Sequence, residues 1–332
     1  MSFPIQTSFP DVSSFPLKGW AAVTIAGKDR EKFLSGLVTN VTKNLQNGEG
    51  NVSLLLTPKG RIIHEFLLAS IEQSLVLLAP PDLQDRLFEH LDRYHFIEDL
   101  TLQKADPERQ AWCITGAALP KLLERFDLQM PEPGKGLRLE KLFGESEALW
   151  ATHLPLFQDK PTLILWSTAQ QNAVIANKLQ GLGCEPLAPE QVQFMKIVHN
   201  WYDTGELTDI FVHEAKLEHS HVSFTKGCYI GQETVARTHH RGKANKGLFL
   251  LHSEDEQGQL AVGASLLNEA GKSIGKVLKL WQLPGGQTAY RCLLRLASVE
   301  KQETIFGEWE SQLSEETEQS KGRLTLDYIQ FG

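Results

Sequence analysis

Apolar and polar residues recur along this chain in two periods, and the switches between them mark out its elements. Residues 21–26 (AAVTIA) read as a short strand that ends at Gly27. Asp29 stands where it can cap a helix whose apolar positions Phe33, Leu34, Leu37 and Val38 share one face. The stretch Asn47-Gly48-Glu49-Gly50-Asn51 breaks that pattern. Two apolar runs follow, 52–56 and 62–69, joined by Thr57-Pro58-Lys59-Gly60. Pro presets φ there and Gly supplies the permissive turn position, which predicts a hairpin. A third strand, 75–79, passes through Pro80-Pro81 into a helix with Leu83, Leu87 and Leu91 four apart, backed by Phe88 and Tyr94. The Pro- and Ser-rich stretch before residue 20 reads as an extended lead-in.

The order then recurs: a strand over 111–115, a short helix around 122–126, strands within 137–158, a strand over 161–166, and helices at about 168–182 and 189–199. Strand-helix-strand-strand-helix-strand order favours α+β layers with antiparallel pairing over a doubly wound parallel sheet. No G-x-G-x-x-G or G-x-x-x-x-G-K-[ST] accompanies these elements, so a Rossmann or P-loop reading has no foothold. From about 245 the texture changes. LFLLHS, SLLNEAGKSIGKVLKLW and TAYRCLLRLASV are strand-like runs separated by turn residues, which predicts a small all-β domain beginning near 240. The acidic run EWESQLSEETEQSKGR, 308–323, reads as a solvated loop.

Composition narrows the class. With 332 residues, 41% hydrophobic and 22% charged, the chain is an ordinary globular protein, with length for about two domains. A net charge of -8 argues against a surface that wraps nucleic acid or clings to an anionic membrane. No stretch approaches the roughly 20 apolar residues that span a bilayer, and the N-terminus lacks the basic start and apolar core of a secretory signal. Cys113, Cys184, Cys228 and Cys292 stand far apart with no C-x-x-C, which fits neither a disulfide framework nor a self-contained zinc or iron-sulfur site. These features describe a reduced, cytoplasmic protein.

The densest chemistry lies in FTKGCYIGQETVAR, 224–237. Lys226 and Cys228 are two apart, so an extended segment aims both to one face, and an ammonium beside a thiol stabilises the thiolate. Gly227 removes bulk between them, and Gly231 precedes a helix opening at Gln232. Such a cysteine suits a nucleophile, a redox thiol or a metal ligand, and equally a buried cysteine in a Gly-flanked turn. Nearby, His219-Ser220-His221 on a strand would offer two imidazoles beside Cys228, but no further ligand has recognisable spacing and no metal is assigned. Arg237, His239, His240, Arg241, Lys243 and Lys246 form a basic cluster that suits contact with a small anion or a protein, a plain solvated junction or RNA phosphates; direct RNA binding is disfavoured because only Phe249 follows as a stacking residue. Trp201, Tyr202 and Tyr229 suit either a ring-binding pocket or core packing.

The string K-G-C-Y-I-G-Q-E, Lys226 through Glu233, followed by Arg237, resembles the signature of the YgfZ-type folate-binding proteins, a branch of the glycine-cleavage T-protein (aminomethyltransferase) superfamily. VTIAGKDREKFLSGLVTN, the LLLTPKGRIIHEFLL hairpin and the RGKANKGL run are similar to the family's opening, second block and domain junction, so the likeness spans about 20–300. It implies an α+β fold of two ferredoxin-like lobes around a central channel plus a C-terminal all-β barrel. The lobes would fill residues 1–240, with internal boundaries near 50 and 105 that leave interleaving open, and the barrel 241–332. It also implies tetrahydrofolate as cofactor, with Asn40, Gly227, Tyr229, Gln232, Glu233 and Arg237 as folate-binding residues and Cys228 and Lys226 as the reactive pair. The function implied is support of iron-sulfur cluster assembly or repair, with links to tRNA modification and to iron-sulfur assembly or client proteins; a folate-dependent one-carbon transferase and an RNA-associated module are the alternatives. The chain departs from the T-protein pattern where the second block carries adjacent aspartates, one of them catalytic. His64-Glu65 stands there, and the longer glutamate stem shifts the carboxylate by about one bond length, which disfavours glycine-cleavage activity. His199-Asn200-Trp201-Tyr202 replaces the family's Gly-x-Pro turn, and Val41 follows Asn40 where many relatives have Asp.

Overall fold

Strands 62–69 and 75–79 are apolar at nearly every position, so a sheet built from them has to be covered on both faces. The computed structural model, which describes residues 9–81, 83–104, 111–143, 149–157, 160–167, 169–202, 205–253, 259–283, 288–301, 304–310 and 321–328, shows how this is done. The chain opens with β1 (Ser13–Pro16), β2 (Ala21–Ala26), α1 (Arg30–Ser35), β3 (Gly50–Leu56), β4 (Ile62–Ile71), β5 (Ser74–Ala79), α2 (Gln84–Asp92) and β6 (Thr101–Lys104). It continues through β7 (Ala111–Thr115), α3 (Leu119–Glu124), β8 (Gly136–Arg138), α4 (Glu140–Phe143), β9 (Trp150–His153), β10 (Thr162–Trp166), α5 (Ala169–Gly181), β11 (Glu185–Pro186) and α6 (Pro189–Val198). After a 3-10 turn at Gly205–Leu207 come α7 (Gln232–Arg241), β12 (Lys246–Ser253), β13 (Ser265–Leu267), β14 (Ser273–Gln282), β15 (Thr288–Arg295), α8 (Leu296–Glu300), β16 (Ile305–Glu310) and β17 (Lys321–Tyr328).

Packing divides the chain into two units. The first holds Thr7–Ile210 and Leu217–Ala236; the second holds Phe211–Lys216 and the chain from Arg237 onward. In the first unit, an antiparallel sheet in the order β3-β4-β5-β2-β6 and a second in the order β11-β1-β7-β10-β9-β8 share one apolar layer. Period-two alternation assigns the faces. Ala22, Val52, Leu67, Val76 and Leu78 of the first sheet meet Phe15, Ala111, Cys113 and Ile164 of the second. On the outer face of the first sheet, Val23, Phe66, Leu68, Leu75 and Leu77 receive Phe33 and Leu34 of α1 and Leu87 and Leu91 of α2. On the outer face of the other, Trp112, Ile114, Leu163 and Leu165 receive α3 and α5 through Leu119, Leu122, Ile175 and Leu179. The result is helix, sheet, sheet, helix, with each buried Leu or Phe contributing roughly 1.5–3 kcal/mol. In the second unit a closed barrel runs β12-β15-β14-β13-β16-β17, filled by Leu251, Leu266, Val277, Tyr290, Cys292 and Leu294. The fold is thus the expected α+β pair of lobes followed by a β-barrel.

Four local readings change. The lead-in contains β1, which sits inside the second sheet between β11 and β7; its backbone pairing on both sides and Phe15 in the shared layer bury Ser13 and Ser14, whose polarity hides the strand period. The short helix begins at Leu119 rather than near 122, because Pro120 suits a first helical turn. Thr101–Lys104 forms a mostly exposed edge strand that carries little apolar signal. The acidic tail is not loop at its ends, since Glu308–Glu310 and Lys321–Arg323 pair as β16 and β17; 311–320 lie outside the described residues. Among the described residues no helix is long and apolar enough to cross a membrane.

His64 pairs with Leu55 across the hairpin and faces α2, its ring 6.4 Å from that of His90. Burial, reinforced by the charges of His90 and Arg86, lowers its imidazole from 6.5 to about 4. The unfolded chain therefore takes up a proton that the fold refuses, so this contribution is fully present above pH 6.5 and is lost as pH falls toward 4. The loss amounts to roughly 3 kcal/mol. Urea midpoints measured near pH 7 and near pH 4.5 should show a smaller acid loss in His64→Gln than in the wild type.

Candidate functional site

The motif 226–233 runs as a loop into α7, and its geometry is set first by close backbone approach. Gly231 has φ +84°, and a Cβ there would lie 2.6 Å from the Thr57 carbonyl oxygen and 3.2 Å from the Gly60 Cα. Only glycine adopts that turn cheaply against the hairpin tip. Gly227 is different, because a Cβ there meets nothing within 4 Å and its φ is ordinary.

Lys226 is the anchor of the loop. Its ammonium donates to the carbonyl oxygens of Ser35 at 2.9 Å, Val38 at 2.6 Å and Asn40 at 2.9 Å. Ser35 ends α1, where carbonyls lack intrahelical partners and a cation is favoured. An ammonium has three N–H donors, and all three are spent on carbonyls, which leaves none for Cys228. Lys226 therefore ties the motif loop to residues 35–40 and makes no hydrogen bond to the thiol. Burial, with Lys43 as a second positive charge, lowers the ammonium to about 8, and its Nζ stands 5.3 Å from the centre of the Tyr229 ring. Burial also pushes the Tyr229 phenol up to about 12.

A second group lies on the same scaffold. Glu65 pairs with Leu54, in phase with the Val52–Leu67 pair, so its side chain projects on the face toward the second sheet. Its Oε1 is 2.8 Å from His221 Nε2, and His221 Nδ1 is 2.7 Å from Ser220 Oγ. Glu65 and His221 are each only 7% exposed, while Ser220 is at the surface. Glu65 Oε2 is buried without a hydrogen-bond partner. Thr39 fixes the arrangement: its hydroxyl donates to the His221 carbonyl at 2.6 Å and accepts from the Leu54 N–H at 3.0 Å. Residues 219–221 form a turn, not the strand anticipated from sequence, and His219 points to solvent beside Glu218.

The other sequence candidates fall as follows. Cys228 is exposed, whereas Cys113, Cys184 and Cys292 are buried and their thiols are pushed up by desolvation, Cys184 to about 11. Asn40 uses its amide within the chain, donating to the Val52 carbonyl at 3.1 Å and accepting from the Val41 N–H at 2.9 Å. Gln232 is half-buried at the start of α7, and Glu233 and Arg237 are exposed along it. Trp201 packs in the shared inter-sheet layer, 5.5 Å from Trp20 and 5.2 Å from Phe157, and Tyr202 is buried. The cluster from His239 to Lys246 is exposed apart from the partly buried Ala244. Among the described residues no group of three or more His, Cys, Asp or Glu is placed to hold a metal ion.

No family model matches the chain. It is 23% identical over 297 residues to the tRNA-modifying protein YgfZ of Colwellia psychrerythraea, with 88% of each chain covered. It is 26% identical over 285 residues to the human mitochondrial iron-sulfur cluster assembly factor IBA57, covering 79% of this chain and 73% of that one. The structure matches glycine cleavage system aminomethyltransferase T from Bartonella henselae with a TM-score of 0.71 and 16% identity, over 96% of this chain and 85% of the other. The chain is thus similar over most of its length to YgfZ proteins and has the fold of glycine cleavage aminomethyltransferase T. The residues that sequence reasoning underweighted are Thr39, Ser220 and His221. Their partners lie 156 residues away in the case of Glu65 and 182 in the case of Thr39 and His221, so no local spacing announces them.

The cysteine environments generate a direct check. Under native conditions a disulfide reagent such as DTNB should titrate one thiol per chain quickly, four after denaturation, and none quickly in Cys228→Ala. Rapid reaction of two or more native thiols would contradict the burial of the other three.

Proposed function

We propose that this chain is a tetrahydrofolate-binding protein that supports iron-sulfur cluster assembly or repair, with a link to tRNA modification. The observation that carries the folate part is the buried, unpartnered Oε2 of Glu65 on an otherwise apolar face. A reduced pterin presents ring N–H and amino donors on a flat apolar body, and an oxygen of this kind is an acceptor such an edge can satisfy. Glu65 then joins Gly227, Tyr229, Gln232, Glu233 and Arg237 as proposed folate contacts. Asn40 acts through its backbone, because its amide is already engaged.

The cluster part rests on Cys228 and on the roles of the YgfZ and IBA57 relatives, tRNA modification and iron-sulfur cluster assembly. An exposed thiol can ligate one iron, but one ligand cannot hold a cluster alone, so the remaining thiolates would come from an assembly or client protein. Lys226 and Gly231 shape the loop that presents the thiol, Lys226 by holding residues 35–40 and Gly231 by its turn. A second reading, folate-dependent one-carbon transfer, is favoured by the Glu65–His221 pair, since an imidazole beside a carboxylate is suited to proton transfer.

Calorimetry separates these parts. Tetrahydrofolate should bind the wild type and Cys228→Ala alike, and Glu65→Gln should weaken binding by about tenfold or more, the range for a hydrogen bond to a charged group. Cys228→Ala should nonetheless fail to restore iron-sulfur enzyme activities in a null strain. No binding by the wild type removes the folate reading; full restoration by Cys228→Ala removes the thiol from the function. Turnover of a methylated amine with tetrahydrofolate, abolished in Glu65→Gln, would favour the second reading.

A further inference from the structure

Glu65, His221 and Ser220 form one continuous hydrogen-bonded line whose two ends differ. One end, the Ser220 hydroxyl, is at the surface; the other, Glu65 Oε2, is buried and unpartnered. The links between them, 2.7 Å from Ser220 Oγ to His221 Nδ1 and 2.8 Å from His221 Nε2 to Glu65 Oε1, engage both ring nitrogens. Both nitrogens of a buried imidazole need partners; here one partner is a surface hydroxyl and the other an interior carboxylate, and those are connections that can move a proton across the ring. Thr39, itself fully buried, holds the His221 backbone, so the ring is fixed over Glu65 by the strand scaffold.

We propose that Ser220, His221 and Glu65 are a proton relay that connects solvent to the interior carboxylate, with Glu65 as the acid–base group and His221 and Ser220 as its positioning residues. With Glu65 ionised, the carboxylate has no hydrogen, so His221 carries its proton on Nε2 and Ser220 donates to Nδ1. Inward transfer starts when Ser220 Oγ accepts a proton from a hydronium ion and passes its own to Nδ1. The Nε2–H bond then breaks and an O–H bond forms at Glu65 Oε1. The sum is one hydronium ion and one carboxylate converted to water and a carboxylic acid, with the ring left as the Nδ1–H tautomer and nothing oxidised or reduced. Outward transfer is the reverse and restores the first tautomer.

Among the described residues, the titratable groups on the elements packed against this line include Glu206, buried on the 3-10 turn that packs on β4. β3 and residues 36–41 carry none; His64 on β4 lies on the opposite face of the sheet toward His90. On the loop that supplies His221, Glu218 and His219 lie beside each other, Lys226 is on the carbonyls of Ser35, Val38 and Asn40, and Cys228 is at the surface. That the interior end meets a reduced pterin rests on the folate reading above; the relay itself needs no ligand and is tested without one.

The test is an NMR titration of the ligand-free full chain labelled with 15N-histidine and 13C-glutamate. As pH falls, the His221 ring should switch from the Nε2–H to the Nδ1–H tautomer in phase with protonation of the Glu65 carboxyl. Ser220→Ala takes the acceptor from the Nδ1–H form and the donor from the Nε2–H form; an unpartnered N–H is the costlier loss, so the ratio of the Nδ1–H to the Nε2–H tautomer should fall by about two-fold or more. A ring that becomes doubly protonated while Glu65 stays ionised would show a fixed ion pair and overturn the relay, as would independent titration of the two groups or a tautomer ratio indifferent to Ser220→Ala. Failure of tetrahydrofolate to bind in calorimetry would remove the folate reading and leave these outcomes unaffected.

Discussion

The local structure around the motif depends on one ammonium group and three carbonyl oxygens. Lys226 reaches back across 186 to 191 residues of sequence to Asn40, Val38 and Ser35, and in doing so closes the motif loop onto the end of α1 and the segment that leads toward β3. Backbone carbonyls at the end of so short a helix would otherwise be left without partners in a half-buried place, a cost of about 1–3 kcal/mol each. An arginine fork or a shorter cation would not converge on three points in the same way. The lysine of the motif is thus explained by backbone chemistry, and the exposed cysteine two residues on is free to serve a different purpose.

What surrounds that tie follows from sheets that are apolar on both faces. Because Leu67 and Val52 face the second sheet, the period of two carries Leu54 and Glu65 to the same side and sends His64 to the other, toward α2. Two adjacent polar residues in one strand therefore meet opposite environments. His64 is held neutral by burial, and Glu65 finds His221 on one oxygen and nothing on the other. Gly60 and Gly231 let the hairpin tip approach the turn before α7 to within van der Waals contact, which keeps the carboxylate, the imidazole and the motif loop on one scaffold.

Much of this was legible in the sequence. The strands at 21–26 and 111–115, the hairpin around Thr57 to Gly60, and the Leu87–Leu91 helix all announce themselves by period and by turn residues, and the eight-residue motif points to the loop that matters. β1 was hidden because Ser13 and Ser14 are buried by backbone pairing rather than by their own apolarity. The backbone ties of Lys226 are not legible in the sequence, because its nearest chemical neighbour along the chain is Cys228 whereas its hydrogen-bond partners are backbone groups, which no residue pattern encodes. His221 was visible only as one of several loop histidines; its meaning comes from Glu65, a residue brought to it by the tertiary fold. Short-range period and turn chemistry can be read from the chain, but the long-range polar pairing that makes a site cannot.

On this geometry Lys226 anchors backbone and makes no bond to the thiol. Lys226→Met keeps the length of the side chain and removes the ammonium. Hydrogen exchange across residues 35–41, followed together with the rate of Cys228 alkylation at neutral pH, tests the claim most directly. Amide protection in 35–41 should fall sharply while alkylation stays within about two-fold of the wild type. Protection unchanged with alkylation slowed by about tenfold would contradict it, and would return the lysine to the side of the thiolate.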